Sequence, residues 1–363
     1  MTDANPLTLS ETRGPSEPPL RDLTIGGLLR EVAAEVPHRR ALVAGVADPD
    51  GRSEWTYADL LADAERAARA LRAHFEPGER VALWAPNVPQ WVVLEFACGM
   101  AGVILVTINP AYQARELQYV LNQSRAAGLV LLPEFRGNPM LGTAVDVQPE
   151  CPELREVIRL DEWEDFLGSG DVWDGELVDP DPTDPCMIQY TSGTTGFPKG
   201  ALLHHRGLVN NGAHTGDRVG VTEGAVYVLT MPLFHTGGCV LGVLTAVSMK
   251  MTMVLVEAFD PGLVLELIEA YDGAAMLGVP TMLVAMLEHP DFAIRDLSAI
   301  EAICSGGSTV PAALVERLER ELKAPFTIVF GQTELSPVSS MTHTTDTIED
   351  KASTIGNAMP HVE

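Results

Sequence analysis

The sequence predicts an α/β protein made of two βαβ-type subdomains whose largely parallel sheets pack together. Three observations predict it. Short β-branched runs alternate with longer stretches of helical period, which puts helices on the faces of parallel sheets. The alternation halts at residues 167–185, a stretch rich in Asp, Gly and Pro, and then resumes. The length of 363 residues suits two domains or one large lobed one, at roughly 100–200 residues per domain.

The elements follow in order. Residues 1–22 are polar and proline-rich and read as a flexible tail. Leu28, Leu29, Val32 and Val36 share one helix face. Thr56 with Asp59 forms a capping-box pattern that opens a helix with Leu60, Leu61, Ala64, Ala68 and Leu71 on one side. Pro77-Gly78 turns the chain into a strand over 81–84. A helix over 88–100, a strand over 103–107, a helix over 114–124 and a strand over 128–132 come next. Beyond the boundary, strands are expected at 187–190, 226–230, 252–256, 274–277, 299–304 and 326–330, with helices between them. Asp260-Pro261 supplies an N-cap and a first-turn proline for a helix ending near Tyr271. Pro311 begins another, with Leu314, Leu318 and Leu322 on its buried face. The expected subdomains are 23–185 and 186–340.

Composition excludes several function classes. Hydrophobic residues are 46% and charged ones 20%, so neither disorder nor a collagen-like repeat fits. The 24 Lys and Arg stand against 50 Asp and Glu, for a net charge of −26. Such a chain repels polyanions, so nucleic acid is not an expected partner. The apolar stretches at 91–108 and 240–256 carry Glu95 and Lys250 and read as helix then strand, not as membrane spans. Cys98, Cys151, Cys186, Cys239 and Cys304 are widely spaced and form no C-x-x-C pair. Most of them sit in apolar stretches and read as buried free thiols, which suits a reducing cytoplasmic setting.

The chemistry centres on Thr191-Ser192-Gly193-Thr194-Thr195-Gly196-Phe197-Pro198-Lys199-Gly200. Six consecutive hydroxyl residues and glycines cannot fill a core. They let backbone N–H groups and hydroxyls surround an anion, and Lys199 adds positive charge. The spacing fits neither a Walker A loop nor a dinucleotide fingerprint. The plainer alternative is a surface linker, but linkers rarely sit between two strand-like runs with a fixed Pro-Lys-Gly end.

This segment resembles the phosphate-loop signature of the adenylate-forming superfamily, which includes acyl-CoA synthetases, luciferases and adenylation domains. Pro232-Leu233-Phe234-His235, Ser305-Gly306-Gly307-Ser308, Phe330-Gly331-Gln332-Thr333-Glu334 and the residues from Gly356 to Glu363 resemble its later motifs, in order. The resemblance runs from about Leu23 to the end. Asn109-Pro110-Ala111-Tyr112 and Thr333-Glu334-Leu335-Ser336-Pro337-Val338 are most similar to fatty acyl-CoA synthetases of the acyl-CoA synthetase family member 2 type.

The resemblance implies roles. Thr191, Ser192, Gly193, Thr194, Thr195, Gly196 and Lys199 would hold the β- and γ-phosphates of ATP. Gly306, Gly307 and Ser308 would form the turn under the adenine, with Phe330 stacking near it where the family usually has Tyr. Gly331, Gln332 and Thr333 would complete the nucleotide site, Thr333 at the α-phosphate. Glu334 would hold Mg²⁺; outside this motif a helix N-terminal acid would be the simpler reading. His235 would neighbour the acyl carboxylate, against an equal reading as a core residue. Gly237-Gly238 would leave room for a chain lined by Cys239, Leu241, Val243 and Leu244, and helix core is an equal reading of those. His204, His205 and His214 are read as surface or structural.

The implied activity is ATP-dependent conversion of a medium- to long-chain fatty acid to acyl-AMP, then to a thioester with CoA. The expected partners are those small molecules, and a homodimer is an expected assembly. The family's mobile C-terminal domain, with its adenylating lysine, lies beyond Glu363, so Lys199 is not that lysine. The sequence therefore reads as an N-terminal domain that binds ATP and acid but turns over poorly, with part of a small β-barrel at its end. The alternatives are an acyl-AMP ligase loading a carrier protein and a non-catalytic nucleotide or acyl-adenylate binding module.

Overall fold

The computed structural model describes residues 11–177, 179–191 and 198–363. In chain order its strands are β1 Arg40–Ala44, β2 Glu54–Thr56, β3 Arg80–Trp84, β4 Ile104–Ile108, β5 Gly128–Leu131, β6 Glu156–Arg159, β7 Pro185–Thr191 and β8 Lys199–His204. The second half adds β9 Val226–Leu229, β10 Thr252–Leu255, β11 Gly273–Leu277, β12 Ala302–Gly306, β13 Phe326–Gly331, β14 Val338–Met341 and β15 Asn357–Ala358.

They form two sheets. One has six strands in the order β6-β5-β3-β4-β7-β8, parallel except for β8. The other has nine, in the order β15-β14-β13-β12-β11-β9-β10-β1-β2, parallel from β13 to β1 with antiparallel edges. The α/β class with two largely parallel sheets is therefore as expected.

Strand alternation builds the layers. Val81 and Leu83 share a core with Leu42, Tyr227, Leu229 and Met253 of the other sheet, so these residues face one another across the middle of the molecule. Helices Ile25–Glu35, Tyr57–His74 and Pro89–Ala101 bury Leu28, Leu60 and Trp91 in that same core. The next residues along the strands face outward. Ala82, Trp84 and Val106 pack under helices Ala114–Ser124 and Met140–Val147. Val43, Val228 and Val254 pack under Pro261–Tyr271, Pro280–Leu287 and Ala312–Leu322. Two sheets thus separate three helix layers.

Local signals act as read. Thr56 and Asp59 form the reciprocal capping box, and Asp260 accepts the Leu263 N–H at 2.9 Å. All five cysteines are free and buried. No helix among the described residues is long and apolar enough to cross a membrane.

Three expectations about organisation need correction. The cut at 185/186 does not separate the sheets: β7 and β8 complete the first, while β1 and β2 join the second. Composition marks the loop correctly but cannot show which sheet the next strand enters. The described part of the expected tail, residues 11–22, is tied down. Gly14 N–H donates to Val362 O at 2.7 Å, and Arg21 N–H donates to Asn210 Oδ1 at 2.8 Å. Finally, β15 pairs with β14 as a sheet edge, and no barrel forms among the described residues.

Candidate functional site

Parallel strands deliver their carboxyl ends to one edge of a sheet, and ligand clefts form there. Here a cleft of about 680 Å³ opens where five such ends meet. Thr191 ends β7, and Met231 to Gly237 follow β9. Gly278 and Val279 follow β11, Gly306 and Gly307 close β12, and Val329 to Glu334 run off β13. The structure thus brings Thr191, His235, Gly306, Gly307, Gly331, Gln332, Thr333 and Glu334 into one cleft.

The His235 loop is held from several directions. His235 N–H donates to Pro232 O at 3.1 Å, and His235 Nδ1 accepts the Gly237 N–H at 3.0 Å. That bond leaves Nε2 to carry the proton, so the neutral ring presents a donor. The ring opens onto the cleft, yet the protein crowded round it desolvates it and lowers its pKa. The loop's anchors on the first sheet are two residues that sequence reasoning missed. Asn87, in the turn after β3, contacts Met231, Leu233 and Val256, and Thr107, on β4, donates to Phe234 O at 2.8 Å. Their one sequence signal is a polar residue at the end of an apolar run, which is weak. Beyond the loop, Gly238 lies against backbone: a Cβ there would stand 2.2 Å from Pro232 O. Leu241 lines the cleft, whereas Cys239, Val243 and Leu244 belong to the core.

The two glycines after β12 serve different ends. A Cβ on Gly306 would lie 2.4 Å from Val329 O, so that glycine is required by the neighbouring strand. Gly307 has φ +75°, and the nearest atom to its hypothetical Cβ is 3.9 Å away. Its backbone is the part of the turn open to a ligand. Ser308 and Phe330 are exposed beside the cleft and are not among its lining residues. Alternation explains this for Phe330, since it points away from the face that Val329 and Gly331 present.

Glu334 lies in a single 3₁₀ turn, Thr333–Leu335, too short to supply the dipole that would explain an acid there. Its carboxylate is exposed and, among the described residues, makes no ion pair. The segment is fixed from behind by Asn211, which donates to Val338 O and accepts from Val338 N–H, each at 3.0 Å.

Thr191 and Lys199 stand opposite each other at the mouth of the β7–β8 hairpin. Thr191 Oγ1 donates to Lys199 O at 3.4 Å, and Lys199 is exposed. Ser192, Gly193, Thr194, Thr195 and Gly196 lie outside the described residues. His204, His205 and His214 serve local structure: His204 accepts the Gly207 N–H at 3.0 Å. His205 is buried, accepts the Ile25 N–H at 3.3 Å and is pushed down to about 4 by burial, while His214 stacks on His361.

Comparisons with known proteins give the family and the fold. A family model described as AMP-binding enzyme matches residues 29–363. YngI of Bacillus subtilis (strain 168), which carries an acyl-CoA synthetase name, is 36% identical over 94% of this chain and 66% of its own length. The mitochondrial medium-chain acyl-CoA ligase ACSF2 of Bos taurus is 33% identical over 95% of this chain and 61% of its own. The chain therefore spans three fifths to two thirds of the length of these relatives. The crystal structure of the N-terminal domain of FACL13 from Mycobacterium tuberculosis superposes with a TM-score of 0.83 at 24% identity, covering 93% of this chain and 82% of that one. That likeness carries the fold, and the family match with its acyl-CoA synthetase relatives carries the lineage: the chain belongs to the AMP-binding enzyme family.

Proposed function

We propose that this chain is the nucleotide- and acid-binding part of an AMP-forming fatty acyl-CoA synthetase acting on medium- to long-chain acids. The observation that carries the reading is that one cleft gathers Thr191 from one sheet with His235, Gly307, Thr333 and Glu334 from the other. In the first half-reaction a carboxylate oxygen bonds to the α-phosphorus of ATP, and the bond to the bridging oxygen breaks as pyrophosphate leaves. In the second, the CoA thiol attacks the acyl carbon and AMP leaves with the bonding electrons.

The first step brings two anions together, so donors must stand where charge gathers. Lys199 and the segment after Thr191 hold the terminal phosphates. Thr333 binds the α-phosphate, and the open Gly307 backbone admits the adenine. The neutral His235 ring offers Nε2–H to the acid. Leu241, Leu277 and Met282 give the cleft an apolar side for an alkyl chain.

No group of three or more His, Cys, Asp or Glu among the described residues would hold a metal unaided. The single exposed carboxylate of Glu334 suits Mg²⁺, a hard ion that takes few protein ligands and completes its shell with phosphate and water oxygens. Bound there, Mg²⁺ would neutralise charge on the phosphates.

Thermal unfolding with non-hydrolysable acyl-adenylate mimics tests the reading. A ligand at ~100 times its Kd adds ~2.7 kcal/mol, worth several degrees in a domain of this size. A fatty-acyl mimic is expected to raise Tm more than aryl or aminoacyl mimics do. No rise with any mimic counts against the reading. Lys199→Ala and Thr195→Ala should each weaken ATP binding with the melting curve unchanged; Lys199 is exposed, so its truncation removes no core. Glu334→Gln should lower the gain in ATP affinity that added Mg²⁺ produces; equal gains in variant and wild type would make Glu334 structural.

A further inference from the structure

Asn87 is buried, with 6% of its surface exposed, and does not line the cleft. Its side-chain amide nonetheless makes three hydrogen bonds across the interface between the sheets. Nδ2 donates to Met231 O at 3.0 Å and to Val256 O at 3.1 Å, while Oδ1 accepts the Leu233 N–H at 2.8 Å. With both amide hydrogens and the carbonyl engaged, the group has one orientation only. Thr107, 2% exposed, adds the bond to Phe234 O. Residues 231, 233 and 234 are thus anchored to the first sheet, although the strand they follow, β9, belongs to the second. From this loop Met231, Pro232, Phe234 and His235 line the cleft.

We infer that Asn87, seconded by Thr107, is a positioning residue that sets the His235 side of the cleft. The nucleotide side, built on Gly307 and Thr333, rests on other anchors, notably the Asn211 bonds to Val338. The two sides therefore respond separately. The inference rests on the synthetase reading for what binds at His235, but its geometry does not.

The side-chain chemistry explains why this position takes an amide. Aspartate would meet two carbonyl oxygens with no donor, and an aliphatic residue would leave three buried main-chain groups without partners. A residue that only stabilised the fold would weaken every ligand of the cleft alike. Asn87 acts on one side, so its loss separates them.

The test uses Asn87→Ala and Thr107→Val with two probes, AMP and a fatty-acyl sulfamoyl adenosine. Asn87→Ala should weaken the acyl probe about tenfold and Thr107→Val about threefold, each with a change of less than about twofold for AMP. The ¹⁵N signals of the His235 imidazole, identified by their loss in His235→Gln, should show the Nε2-protonated tautomer in wild type and a tautomer mixture in Asn87→Ala. Equal weakening of both probes would overturn the inference, as would an unchanged acyl affinity with an unchanged His235 spectrum. Should Asn87→Ala fail to fold, Thr107→Val carries both readouts. Wild-type protein that binds neither probe would defeat the synthetase reading, while the imidazole spectra would still decide the positioning role.

Discussion

Glu95→Gln is expected to raise the stability of this protein at neutral pH and to flatten its dependence on pH. Glu95 lies in the helix Pro89–Ala101, 1% exposed, and among the described residues neither of its carboxyl oxygens has a hydrogen-bond partner. Burial alone pushes its pKa well above the ordinary 4.5. The folded protein therefore holds a proton that the unfolded chain releases above its own, lower pKa. The contribution of Glu95 to stability is most favourable in acid. It falls by about 1.4 kcal/mol for each pH unit above the unfolded-state pKa, until the pH reaches the folded value. Glutamine keeps the shape and a comparable neutral burial cost without the ionisation. Unfolding free energies measured from pH 4.5 to 7.5 should thus diverge upward, the variant gaining on wild type as pH rises. Parallel curves would mean that the carboxyl has found a partner, such as a buried water. Glu95→Met, which also removes the unpartnered oxygens, should gain at every pH.

Gly331→Ala should harm fold and site together. A Cβ there would lie 2.3 Å from Pro337 O and 3.1 Å from Val338 Cα, both backbone atoms that cannot swing aside. Relief requires β13 and β14 to part, and these strands carry Gln332, Thr333 and Glu334 between them. Overpacking of this kind costs about 1–3 kcal/mol. The same displacement moves Thr333, so AMP affinity should fall as well. Gly307→Ala provides the contrast: its Cβ would meet only Val279 Cγ1, at 3.9 Å, and only the positive φ opposes it. Denaturant midpoints and AMP titrations of the two variants would decide. A Gly331→Ala protein as stable and as tight as wild type would mean that the β13–β14 turn yields easily.

The fold was legible where physics is local. The capping box at Thr56, the Asp260 N-cap and the apolar strands each carry their cause within a few residues. Glu95 was visible as a charge in an apolar run, though its lack of a partner was not. The partition of strands between sheets was hidden, because β1 has the same composition whichever sheet receives it. At the site, motif residues such as Thr333 and Glu334 could be read by their resemblance. Asn87 and Thr107 could not, since they act on the main chain of residues more than a hundred positions away. The separate duties of Gly306 and Gly307 were also invisible, because letters do not show which glycine faces a neighbouring strand.

The exchange of strands between the sheets bears on how the chain comes to be folded. Leu42 waits for Met253, more than two hundred residues later, before β1 gains its parallel neighbour. Neither half on either side of residue 185 contains a complete sheet, and the core between the sheets draws its residues from both halves, although the buried residues of the outer core under helices Ala114–Ser124 and Met140–Val147 all lie in the first. Loop closure on this scale must precede much of the stabilising contact, which slows folding and leaves apolar strand edges open during synthesis. The same interleaving binds the halves once formed, since pulling them apart requires undoing ladders in both sheets at once.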